Sequence, residues 1–452
     1  WNVSKVTNMN RLFNDATVFN QALNNWNVSE VTDMSEMFKA TVAFNQTLNE
    51  WDVRKVKTME SMFAGAAAFN QPLNNWDVSY VLNMQSMFQN ANLFNQPLND
   101  WDVSKVTNMS SMFSSTASFN QPINQWNVSA VTTMANMFAS SLAFNQNVNT
   151  WNVTKVITMQ SMFSNAKMFN QPLNEWDVNS VVNMSSMFQS ASAFNQPLNA
   201  WDVSAVANTT SMFENAILFN QPLSNWNVSS VTLMKSMFEG ATIFNQNLNT
   251  WNVGVVTTME EMFKNAPAFN EPLSNWNTGK VLNMKEMFSG ASVFNQNINS
   301  WNTSFVRTME EMFKDARAYN QTMNSWNVAS VTTMKGTFQG ATAFNGTMDN
   351  WNVRRVSTME NMFSGATSFN QTINSWRVNG VTTMNYMFRN ATAFNQSLNR
   401  WDLGTVTMRS FLDQATSYNH YLGEWNVSRV TDMRDMLDRT ALPRTNYVNT
   451  LI

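Results

Sequence analysis

Cysteine is absent and histidine occurs once, at His420. That excludes thiolate chemistry, disulfide cross-links and any cluster of soft metal ligands, so stability has to come from packing. Missing cysteine does not assign a compartment, because a long repeat array buries enough surface without staples. Charge is sparse as well: 13% of residues are Asp, Glu, Lys or Arg, and the formal net charge is −3. No basic field exists to hold a nucleic-acid backbone or an anionic membrane, so neither partner is expected. Apolar residues never run together for the roughly eighteen positions of a membrane-spanning helix, so no membrane insertion is expected. The chain opens on Trp1 with neither Met nor a charged, then apolar, leader, and Trp1 is already in phase with the later tryptophans. Such a start reads as a segment of something longer.

The abundant residues are periodic. All eighteen tryptophans fall in one frame: Trp1, Trp26, Trp51, Trp76 and onward every 25 residues to Trp401, then Trp425 one residue early. Counted from each Trp as position 1, the repeat reads W-[ND]-V-S-x-V-T-x-M-x-x-M-F-x-x-A-x-x-F-N-Q-x-L-N-x. No linker or charge block interrupts it, so residues 1–452 are expected to form one solenoid of eighteen repeats, seventeen full coils over 1–424 and a C-terminal cap coil over 425–452.

Positions 9, 12, 13 and 16 carry Met, Met, Phe and a small residue, as in Met109, Met112, Phe113 and Thr116. The i, i+3, i+4, i+7 spacing predicts a short helix of about two and a half turns, with Thr or Asn at positions 7 and 8 as its cap. Positions 23 to 6 alternate Leu, Trp and Val with polar residues, which predicts a short strand paired in parallel with the same strand one coil away. The fold class expected is therefore an α/β repeat, one short parallel strand and one short helix per 25-residue coil. At about 4.8 Å per coil the array would be on the order of 85 Å long.

Motifs such as WDVSKVTNMSSMF, ATAFNQSLNRW and AFNQPLNNWDVS resemble the BspA-type leucine-rich-repeat surface proteins, in the Met-Phe branch with surface repeats of this length. The resemblance spans essentially the whole chain. It implies a right-handed leucine-rich-repeat-like solenoid, an extracellular or cell-surface location, and a role in adhesion, matrix or surface coating. The closing ALPRTNYVNTLI is similar to the tail that ends such arrays, with Leu442, Tyr447 and Leu451 capping the last coil.

Most of the thirty-five methionines sit at positions 9 and 12. A copper-thioether surface is the sharper reading, but helical spacing beside Phe makes them core, and the Trp and Phe columns with them. Position 20 is Asn in coil after coil: Asn20, Asn45, Asn70, Asn95, Asn120, Asn145, Asn170 and Asn195. These predict an inward amide ladder that bonds copy to copy; the role of Gln at position 21 is open. Sequons place possible glycans on Asn2, Asn27, Asn127, Asn152, Asn227, Asn302 and Asn426 at position 2, and on Asn108, Asn183 and Asn208 at position 8. The alternative is that Asn and Ser stand there for turn hydrogen bonds. Stacked carboxylates at Asp52, Asp77 and Asp102 are weak candidates for a shared Ca²⁺, since no loop supplies the remaining oxygens. His420 replaces the usual Gln between Tyr418 and Tyr421 with no nucleophile or carboxylate pair in its frame, so no catalytic residue, cofactor or resident metal is expected.

The expected function is that of a non-enzymatic surface solenoid, presenting a repetitive, N-glycosylatable face to surface glycans or proteins. Two alternatives remain open: a filament subunit that pairs with copies of itself, and a polysaccharide- or ice-binding module using the recurring threonines Thr132, Thr133, Thr257, Thr258, Thr382 and Thr383.

Overall fold

The computed structural model describes residues 1–443. Packing divides the chain into two compact units, Trp1–Asn227 and Val228–Ile452. Both are stacks of coils built on the same frame. Within each, positions 1, 3, 6, 9, 12, 13, 16, 19 and 23 turn inward: in the coil that starts at Trp76 these are Trp76, Val78, Val81, Met84, Met87, Phe88, Ala91, Phe94 and Leu98, none more than 3% exposed. Burial of each such large side chain contributes roughly 1.5–3 kcal/mol, and a single coil has nowhere to bury them except against its neighbours.

The aromatic residues form three files. In the first unit Trp51 lies on Trp76 at 6.4 Å between centroids, Phe63 on Phe88 at 5.7 Å and Phe69 on Phe94 at 6.0 Å. Within one coil Phe63 and Phe69 stack at 4.1 Å and join two of the files. The second unit repeats the pattern, with Trp276 and Trp301 at 6.1 Å and Phe263 and Phe288 at 5.6 Å.

The helix expected over positions 9–16 does not form, and no α-helix occurs among the described residues. Two positions in each coil are left-handed instead, as at Ser61 (φ 53°) and Gly65 (φ 72°), or Ser86 (φ 55°) and Asn90 (φ 58°). Alternate N–H groups consequently point to different partners. Met59, Ser61, Phe63 and Gly65 donate to Asn83, Gln85, Met87 and Gln89 of the next coil at 2.7–3.0 Å, whereas Met62, Ala64 and Ala66 close turns onto Met59, Ser61 and Phe63. An α-helix would send every one of these donors four residues back along its own chain. Here half of them tie coil to coil, and the Met-Met-Phe-Ala face is buried by a run of turns whose inward side happens to share the helical spacing.

The strand expected over positions 23 to 6 is also displaced. That segment is two turns, Trp76 N–H to the Leu73 carbonyl at 3.1 Å and Val81 N–H to the Val78 carbonyl at 2.9 Å. Parallel pairing between coils occurs at position 8 as single bridges, among them Thr58 with Asn83, Asn83 with Asn108 and Thr333 with Thr358. It lengthens only at the end, where β1 (Val406–Thr407) pairs in parallel with β2 (Val430–Asp432). The register shifts between Val406 and Thr407, where the coil begun at Trp401 is one residue short. Of the expected cap residues Leu442 is half-buried, and Tyr447 and Leu451 lie outside the described residues.

Candidate functional site

Four surface concavities fall at the same place in the repeat. In the first unit one is lined by Asn49, Glu50, Asp52, Arg54, Asn75 and Asp77, another by Asn149, Thr150, Asn152, Thr154, Glu175 and Asp177. In the second unit the corresponding residues are Asn297, Asn299, Ser300, Asn302 and Ser325, and then Asn374, Ser375, Arg377, Asn379, Arg400 and Asp402. Each groove runs beside a Trp, between residues of positions 24 and 25 on one lip and position 2 on the other, joined there by position 4 in three of the four. Its walls stand because the two turns on either side of the Trp bring both lips outward. The Trp rings themselves are sealed: Trp51, Trp151, Trp301 and Trp376 are 2–3% exposed, and each indole N–H is spent on a carbonyl of the preceding coil, Trp51 on Leu23 at 3.0 Å and Trp301 on Leu273 at 2.9 Å. The groove therefore offers amides, hydroxyls and a few charges, with no aromatic platform.

Position 2 caps its own turn. The side-chain oxygen of Asn27, Asn127, Asn302 or Asn426 accepts the N–H two residues on at 3.1 Å, and in Asn2, Asn152 and Asn302 it also accepts the hydroxyl there. These asparagines and Asn227 are exposed. The position-8 sequons differ: Asn108 and Asn183 are half-buried and donate their amide nitrogen to Gln85 and Gln160, and half-buried Asn208 accepts the Thr210 N–H.

Asp52, Asp77 and Asp102 serve in the same turn. Asp77 and Asp102 accept the N–H groups of Ser79 and Ser104, and Asp52 is held by the Arg54 guanidinium at 2.7 and 2.8 Å. The hydrogen bond from the Ser104 side chain, then that from its N–H, keeps the Asp102 carboxyl below the usual aspartate value, as the Arg54 side chain does for Asp52. Among the described residues no group of three or more His, Cys, Asp or Glu is placed to hold a metal ion, and no helix is long and apolar enough to cross a membrane.

Asn at position 20 bonds one coil to the next. Oδ1 of Asn45 accepts the Asn70 N–H at 3.0 Å and the Gln71 side-chain amide at 3.0 Å. The same pair of bonds runs from Asn20, Asn70, Asn95, Asn120, Asn145, Asn170 and Asn195 to the next coil in each case. Asn20 is exposed and the others are half-buried, so the column lies along an edge and not inside the core. His420 substitutes for Gln here, its Nε2 lying 2.9 Å from the Asn395 carbonyl.

A second amide column, at position 24, is not anticipated by the sequence reading although Asn recurs there in the repeat. Asn49, Asn99, Asn149, Asn299 and Asn374 each accept the N–H at position 25 of the next coil at 3.0–3.1 Å. It fixes one lip of the groove. At position 14 of the second unit, half-buried Lys264 bonds Glu286 at 2.6 Å and Glu261 at 3.0 Å, with Glu239 at 3.6 Å. Burial opposes the charge on Lys264, but the bonds to Glu286 and Glu261 outweigh it and hold the ammonium above the ordinary lysine value.

No curated protein matches the chain. Among solved structures it is similar to a leucine-rich repeat protein from Bacteroides ovatus, at 10% identity over 88% of this chain and 87% of that one, with a TM-score of 0.42. A leucine-rich repeat protein from Eubacterium ventriosum is similar at 12% identity over 72% and 83%, TM-score 0.39, and one from Leptospira interrogans at 7% over 78% and 91%, TM-score 0.22. The family described as Mycoplasma protein of unknown function, DUF285, matches at residues 1–99, 83–201, 142–251, 190–295, 244–351 and 346–449. Those stretches overlap from end to end, and the chain belongs to the DUF285 family.

Proposed function

We propose that this chain is a non-enzymatic surface protein of the BspA-like leucine-rich-repeat type, and that the polar groove is where it binds glycans or proteins outside the cell. The observation that carries the reading is recurrence: a groove of amides and hydroxyls returns at the same frame positions in both units, which offers many weak and equivalent contacts where an enzyme needs one deep pocket. A threonine face is less suited to the role. The hydroxyls of Thr132, Thr257 and Thr382 already donate to the coil before, at 3.0–3.2 Å. The exposed position-2 asparagines are the sequons we propose for glycans, their amide oxygens being occupied and their surroundings open.

The test is saturable binding of the purified chain to glycan arrays and immobilised extracellular-matrix proteins. Exposed Ser274 and Ser300 line one groove, and Ser274→Trp with Ser300→Trp should reduce binding without unfolding the coils. Absence of binding to every glycan and matrix protein offered overturns the reading.

A further inference from the structure

The groove does not keep one charge. In the first unit it carries Glu50, Asp52 and Asp77 against Arg54, or Glu175 and Asp177 with no base. Near the end of the second unit the balance reverses. Residues 349–409 hold six arginines (354, 355, 377, 389, 400 and 409) against Asp349, Glu360 and Asp402, a net of three positive charges in a chain whose total is −3. No lysine lies in that stretch.

Two of those arginines stand on the groove itself. Arg377 occupies position 2, where the neighbouring coils have Asn352 and Asp402, and Arg400 occupies position 25. Arg400 is anchored through its main chain, whose N–H donates to Asn374 Oδ1 at 3.0 Å, so its guanidinium starts from a fixed lip. Arg354 and Arg355 sit at positions 4 and 5 of the coil before. In this unit position 4 of one coil lies against position 2 of the next, as Gly254 does against the Asn277 amide nitrogen and Gly279 against that of Asn302. The same frame sets Arg354 beside Arg377. Arg389 is paired with Asp413 at 3.4 Å, but among the described residues no ion pair joins Arg354, Arg355, Arg377 or Arg400 to a carboxylate. All four are exposed. Planar guanidiniums gathered around one groove, with a single carboxylate at Asp402, are suited to bidentate recognition of an anion.

We propose that the groove at residues 374–402, with Arg354 and Arg355, is a subsite for an anionic polysaccharide that bears carboxylate or sulfate groups. This rests on the adhesive reading and names its ligand class. Guanidiniums take the charged groups, while the Ser375 hydroxyl and the Asn379 amide take sugar hydroxyls. A nucleic acid fits less well: the adjacent Trp376 is 2% exposed and offers no surface on which a base could stack.

The experiment measures binding of the full chain to heparin and hyaluronan oligosaccharides, with neutral dextran and single-stranded DNA alongside. Arg377→Asn and Arg400→Ser install residues that the same positions hold elsewhere, so the coils keep their fold. Each should weaken binding of the anionic sugars about tenfold, as loss of one charge-assisted contact does, and Arg317→Thr, an exposed site on another side of the coil, should change it little. Equal loss in Arg317→Thr, tighter binding of DNA than of either sugar, or binding of dextran alone overturns the subsite. Binding of neutral glycans or matrix proteins without the anionic sugars removes the subsite and leaves the adhesive reading standing; failure of every ligand removes both.

Discussion

Trp76 lies over Trp51 with the two rings 1° from parallel, and its indole N–H donates to the Leu48 carbonyl, which also accepts the Trp51 N–H. One oxygen thus closes a turn in its own coil and fastens the next coil. The arrangement is the same at Trp126, whose indole meets the Leu98 carbonyl at 2.8 Å.

Trp126→Ala should therefore cost about 3–5 kcal/mol locally, the range for emptying a large aromatic site. Trp126→Phe should cost much less, because the Leu98 carbonyl keeps the Trp101 N–H as donor. Hydrogen exchange resolved to residues 98–151 is the measurement, since a long array need not unfold as one cooperative unit.

Asn120 Oδ1 accepts two donors, the Asn145 N–H at 2.9 Å and the Gln146 amide at 3.0 Å. Asn120→Ala leaves a half-buried backbone donor unmet and should cost about 1–2 kcal/mol, while Gln146→Ala, which frees only a side chain, should cost less. The order of the two variants in thermal unfolding checks the claim.

The hydroxyl of Tyr319 is fully buried, has no hydrogen-bond partner and is pushed well above the ordinary tyrosine value by burial. Its neighbours in the file, Phe294 and Phe344, stack on it at 5.9 and 6.0 Å without needing that oxygen. Tyr319→Phe should stabilise the protein by about 1 kcal/mol, read as a higher apparent Tm.

The Asp432 carboxyl is held at about 2 by the Arg434 side chain and then by its N–H. A folded value below the ordinary 3.8 means the contribution to stability is present above that pH and is lost as pH falls toward 2. NMR titration should find that low midpoint, and Arg434→Gln should move it up toward the ordinary range.

The burial of the repeat is legible in the sequence because it depends only on which side chains are apolar: Leu98, Trp101, Val103, Val106, Met109, Met112, Phe113 and Phe119 are all inside. The helix is a misreading because apolar spacing reports which side faces the core and not how the backbone gets there. The signal against it lies at position 15, where Gly65, Asn90, Asn165 and Gly240 are residue types that accept a left-handed backbone. Alternation points to the Trp segment for strand pairing, yet it is position 8 that meets its copy, because the turns at positions 1 and 6 consume the donors on either side. The groove is not visible in the sequence at all, since it arises from residues of positions 24 and 2, such as Asn149 and Asn152, standing on opposite lips of a corner that the linear repeat does not show.

Acrylamide quenching of tryptophan fluorescence tests the coil stack most directly. Trp1 is 91% exposed, whereas the tryptophans from Trp51 to Trp401 are 2–3% exposed and hydrogen-bonded to protein. The stack predicts blue-shifted emission with a small quenchable fraction, contributed by exposed Trp1 and half-buried Trp26, that Trp1→Phe reduces. Quenching of the whole emission, unchanged by Trp1→Phe, would contradict it.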